Sequence, residues 1–86
     1  MDVNHEVKLL VRELKRLADG KKNADGNYVV KFGTLFNDDD CANMFEALVG
    51  TLRAAKRKKY ITYKGEMLLQ GAHDDVDIVL LVEEVE

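Results

Sequence analysis

The chain has 86 residues, 47% of them hydrophobic and 34% charged, with a formal charge of −3. That is material for one hydrophobic core and not two, so a single domain spanning 1–86 is expected. No apolar run approaches the roughly 20 residues of a membrane-spanning helix, and the opening Met-Asp-Val-Asn-His-Glu lacks the basic and apolar stretches of a secretory signal. Cys41 is the single cysteine, which excludes an internal disulfide and fits a reducing compartment, the cytosol or nucleus.

Val3, Val7, Leu10, Leu14 and Leu17, widened by Val11 and Ala18, recur at steps of three and four and predict an amphipathic helix over 4–18. Asp2 or Asn4 can cap its start, and Gly20 stands where a chain leaves a helix in the left-handed conformation. Residues 19–27 carry turn chemistry without an apolar anchor and predict a mobile loop. Tyr28 to Phe32 have strand composition, Gly33 breaks the strand, and Leu35 and Phe36 fit one helical turn. Asp38, Asp39 and Asp40 then offer a cap to a long helix over 40–57, with Cys41, Phe45, Leu48, Val49, Leu52 and Ala55 on its inner face.

Tyr60 to Tyr63 read as extended, Lys64-Gly65 as a bend, and Glu66 to Gln70 pair with the strand Ile78 to Val82 in the expected β-hairpin. This order of elements is that of an α+β, winged-helix-like fold, a three-helix core flanked by a small sheet and a hairpin wing. Leu10, Leu14, Phe32, Phe36, Phe45, Leu48, Leu52, Leu69, Val79 and Leu81 form the expected core.

Motifs for catalysis are missing. The glycines at 20, 26, 33, 50, 65 and 71 are scattered singly, so no phosphate-cradling loop exists. Asn23, Asp25 and Gly26 imitate part of a calcium loop, but Lys21 and Phe32 stand at its two ends, where carboxylates are needed. His73 with Asp74, Asp75 and Asp77 can be drawn as a metal or acid/base site, although neighbouring carboxylates in a loop more often cap backbone amides. Cys41 lies near a helix start, where the dipole can lower a thiol pKa, yet a buried packing thiol is the favoured reading. No enzyme activity, metal or cofactor is expected.

The run Arg53, Lys56, Arg57, Lys58, Lys59, with Lys64 beyond, is the dense positive region of a net acidic chain. Part of it simply complements a helix C-terminus. The rest reads as an electrostatic docking patch to which Tyr60 and Tyr63 add aromatic contact area. Nucleic-acid binding is the alternative for a winged helix, and three features oppose it: the net acidic charge, Asp38 to Asp40 at the helix start, and Asp74 and Asp75 in the wing.

Three blocks carry a resemblance: KFGTLF at 31–36, CANMFEALVGTLRAAKRKK at 41–59 and YKGEMLLQGAHD at 63–74. In this order they resemble the costars family, small proteins related to the C-terminal actin-binding domain of the muscle protein STARS. The resemblance covers essentially the whole chain. It implies a winged-helix-like fold and a role in actin organisation or cell motility, by binding actin or an actin-regulating protein. A cytoplasmic monomer that binds neither nucleic acid nor membrane is expected.

Overall fold

The computed structural model describes residues 2–85. Its elements in chain order are α1 (Val3–Ala18), β1 (Val29–Lys31), α2 (Phe32–Asn37), α3 (Asp39–Met44), α4 (Leu48–Arg57), β2 (Ile61–Thr62) and β3 (Asp77–Leu80). This is an α+β arrangement of helices around a three-stranded antiparallel sheet of order β1-β3-β2.

Helix α1 forms where its periodicity places it. The Asp2 side chain accepts from the His5 N–H at 3.1 Å, satisfying one of the donors that a helix start leaves open. Val7, Leu10, Val11, Leu14 and Ala18 are buried along one stripe, and α1 packs on α4. Asp19 and Gly20 both take positive φ, which turns the chain out of the helix. The 19–27 segment is a hydrogen-bonded turn: the Asn23 side chain accepts from the Asp25 and Asn27 N–H groups, and Lys22 bridges Tyr28.

The long helix expected over 40–57 is broken. Phe45 (φ −100°, ψ 129°) closes α3 and Ala47 opens α4 without a side-chain cap of its own. A side chain of another helix reaches this end instead. Glu6 of α1, 7% exposed, accepts from the Thr51 hydroxyl at 2.8 Å and, at 3.4 Å, from the Glu46 N–H. Asp38 therefore caps the short α3, through the Cys41 N–H at 3.0 Å, and not the helix that carries the basic run.

The hairpin forms on a different first arm, β2 and β3 pairing antiparallel across the 63–76 connection. Residues 66–69 lie outside the strands, and β3 instead enters between β1 and β2, pairing Val30 with Ile78 on one side and Ile61 with Leu80 on the other. The inward face of β3 is offset by one residue from the expected one. Ile78 and Leu80 are buried, whereas Val79 is half-buried and Leu81 is 42% exposed. An unbroken apolar run offers no alternation from which to choose the face. Leu69 likewise is half exposed, and Leu68 takes its place in the core.

Leu10, Leu14, Phe32, Phe45 and Leu52 are buried in one cluster with Leu35, Cys41, Ile61 and Ile78, and Phe36 and Leu48 pack against its margin. Phe32 follows β1 directly and starts α2, and its N–H still donates to the Val76 carbonyl at 2.9 Å. Gly33 next to it donates to the Asp74 carbonyl at 2.9 Å, and a Cβ there would lie 2.8 Å from the Asp74 Cβ, so only glycine lets α2 sit this close to the 70–75 turn.

Candidate functional site

Helix α4 buries Thr51, Leu52 and Ala55 and presents Gly50, Arg53 and Arg57 outward, as its 3.6-residue period requires. It ends in a Schellman motif, with the Lys59 N–H on the Lys56 carbonyl and the Tyr60 N–H on the Ala55 carbonyl, both at 3.0 Å. Glycine normally occupies the left-handed position of that motif. Here it is Lys59, at φ 65°, a conformation that costs a side-chain-bearing residue about 1–2 kcal/mol.

The basic run divides on inspection of its partners. Lys56 is committed to the fold: its Nζ donates to the Tyr63 carbonyl at 2.8 Å and the Gly65 carbonyl at 2.6 Å, and lies 4.2 Å from the centre of the Tyr63 ring. Tyr63 is only 5% exposed, and burial pushes its phenol pKa up. Arg53, Arg57, Lys58, Lys59 and Lys64 are exposed, with Tyr60 half-buried beside them. Arg53, Lys56, Arg57, Tyr63 and Glu66 line one open depression, so α4 and the 63–66 segment meet there. Among the described residues no carboxylate forms an ion pair with Arg53 or Arg57.

The His73 and aspartate group is occupied by the backbone around it. The His73 Nδ1 accepts from the Leu69 N–H at 2.8 Å, the Asp74 carboxylate accepts from the Gly71 N–H at 2.8 Å, and Asp77 pairs with Lys31 at 2.8 Å. The Asp75 carbonyl accepts from the same lysine. These side chains are turned to separate tasks and do not converge.

A different group does converge, which the sequence reading missed because its members are up to 28 residues apart. Glu13, Asp38 and Cys41 bring their ligating atoms within 4.8 Å of one another. The cation at this place is a guanidinium: Arg16 reaches Glu13 at 2.8 Å and Asp38 at 2.7 Å. Burial, more than the nearby Asp38 carboxylate, pushes the Cys41 thiol up to about 12, opposite to the lowering a helix start can give. A buried, neutral thiol is the ordinary state of a packing cysteine.

The Asp38 carboxyl is held below its ordinary value of 3.8, first by the Cys41 N–H and then by Arg16. A lowered pKa means that the cap stabilises the fold above the ordinary value and that this contribution is lost as the pH falls through the lowered one. Titration of Asp38 by NMR should give a midpoint below 3.8, and Arg16→Ala should raise it. A midpoint unmoved by that substitution would remove the guanidinium from the causes.

These features describe a small α+β protein with a basic helix end braced against the 63–66 bend, and no helix of the described residues is long and apolar enough to cross a membrane. The Costars family profile matches residues 2–81. Costars family protein ABRACL from Bos taurus is 73% identical over 81 residues, covering 94% of this chain and 98% of the relative, and the Homo sapiens protein of that name is 70% identical with the same coverage. Costars family protein v1g158749 of Nematostella vectensis is 70% identical over 84 residues, 98% of this chain and all of the relative. The solution structure of human HSPC280 protein superposes with a TM-score of 0.84 at 68% identity, covering 95% of this chain and 94% of that one. The chain belongs to the Costars family.

Proposed function

We propose that this chain is a single-domain, non-enzymatic protein-binding module of the actin cytoskeleton that docks actin or an actin-regulating protein through the basic end of α4. The setting is cytoplasmic, the role is in actin organisation or cell motility, and the module acts as a monomer. Arg53, Arg57, Lys58, Lys59 and Lys64 provide the charge, Tyr60 adds contact area, and Lys56 with Tyr63 sets the shape of the surface. The winged-helix-like description is kept for the order of its elements alone.

The observation that carries this reading is Lys59. A lysine in the left-handed position of a helix end, where glycine is the less strained residue, is a local cost to the fold that the fold does not require. A need for positive charge at that point explains it. Nucleic-acid binding has no observation in its favour. One sequence argument against it changes form, since Asp38 caps and Asp39 and Asp40 begin α3 and not the basic helix, but Asp74 and Asp75 stay in the connection between β2 and β3 and the net charge of −3 still opposes it.

The test replaces Arg53, Arg57, Lys58 and Lys59 with glutamate and leaves Lys56 in place to hold the fold. Co-sedimentation with filamentous actin, and capture of a purified actin regulator, should be lost. Wild-type binding should weaken as added salt shortens the Debye length from about 10 Å to about 3 Å. A folded variant that binds like the wild type would place the docking surface elsewhere.

A further inference from the structure

Beside the arginines of α4 lies a stretch of chain whose exposed side chains are apolar. Met67 is 62% and Leu69 50% exposed, while Leu68 between them is 5% exposed and anchors the stretch in the core. Exposure thus alternates along the stretch, with both neighbours of the buried Leu68 open to solvent. Glu66 lines the same depression as Arg53 and Arg57, so Met67 begins one residue beyond it.

This strap is tethered at both ends. At one end the Lys56 ammonium holds the Tyr63 and Gly65 carbonyls. At the other, Leu69 and His73 exchange two hydrogen bonds, from the Leu69 N–H to the His73 Nδ1 at 2.8 Å and from the His73 N–H to the Leu69 carbonyl at 2.9 Å. Two large apolar side chains are thus displayed on a backbone that needs little ordering when something binds, which removes part of the entropic cost of association. Arginine, methionine and aromatic residues together are the composition of interface centres, whereas lysine belongs to rims.

Resting on the docking reading above, we infer that the surface extends from α4 onto this strap and takes a partner segment that is both acidic and apolar. Its carboxylates pair with Arg53 and Arg57, and a large apolar side chain seats against Met67 and Leu69. Charge complementarity selects this occupant: the arginines lack ion-pair partners among the described residues, and an apolar segment without carboxylates would leave them so.

Two synthetic probes test it against the full chain by NMR titration: an amphipathic helical peptide with glutamates on one face and leucines on the other, and its twin with every leucine replaced by serine. The leucine peptide should bind at least about tenfold more tightly than its twin and shift the amides of 53, 57 and 66–69. The variant Met67→Ser/Leu69→Ser, altered only at exposed positions, should lose that preference and keep the weak, salt-sensitive binding common to both peptides. Equal binding of the twins, or a preference that survives in this variant, would overturn the inference. So would a dimer of the wild type, seen by analytical ultracentrifugation and lost in the variant, because the strap would then serve a second copy of this chain. In actin co-sedimentation, loss with Arg53→Glu/Arg57→Glu but not with the serine variant removes the strap alone. No loss with either removes the docking reading as well.

Discussion

Phe32→Ala should destabilise the protein by about 3–5 kcal/mol, a large part of what a domain of this size possesses. Phe32 is fully buried, and its ring meets Phe36 edge to face at 5.7 Å. The same residue joins β1 to α2 and donates to the Val76 carbonyl, so the surrounding backbone is fixed from two sides and has little freedom to collapse into the cavity. Thermal unfolding should show a fall of roughly 4–8 °C per kcal/mol. A fall of only a few degrees would mean that the site closes over the missing ring, and that the strand-to-helix junction is softer than its hydrogen bonds indicate.

Glu6→Ala has the second-largest expected effect, about 2–3 kcal/mol in urea unfolding, because it withdraws an acceptor from a buried hydroxyl of α4 and from the Glu46 N–H just before that helix. Thr51 is wholly buried and retains the Ala47 carbonyl as its other partner. The double variant Glu6→Leu/Thr51→Val should therefore cost less than the sum of its two single changes, since it removes both members of the pair together. Strict additivity would show that the carboxylate does not hold α4 through Thr51.

These two residues also mark where the sequence is legible and where it is not. Phe32 declares itself, as does the α1 stripe, because burial repeats with the helix period and the signal is local. Glu6 does not. Nothing between Cys41 and Arg57 except Gly50 is a helix breaker, and the carboxylate that meets the interruption at Phe45–Ala47 stands 40 residues earlier. The face of β3 was lost for a different reason: Ile78 to Val82 are all apolar, and only the partners on both sides decide that Ile78 and Leu80 point inward. The basic run could be read as charge density. Its division into Lys56, tied to two carbonyls, and exposed Arg53 and Arg57 required coordinates, and so did the apolar strap beside them.

The place of β3 in the middle of the sheet bears on how the molecule is made. Its partners are Val29 to Lys31, reached across some 50 residues of chain, and Ile61 to Thr62, so the last strand in sequence joins two others that never touch each other. On a ribosome all four helices leave the tunnel before residues 77–80 exist outside it, and until then β1 and β2 are unpaired edges. Sheet closure is a late, long-range step. A nascent or truncated chain ending before Asp77 keeps its helices' apolar faces and two open strand edges, the combination that chaperones recognise and aggregates exploit.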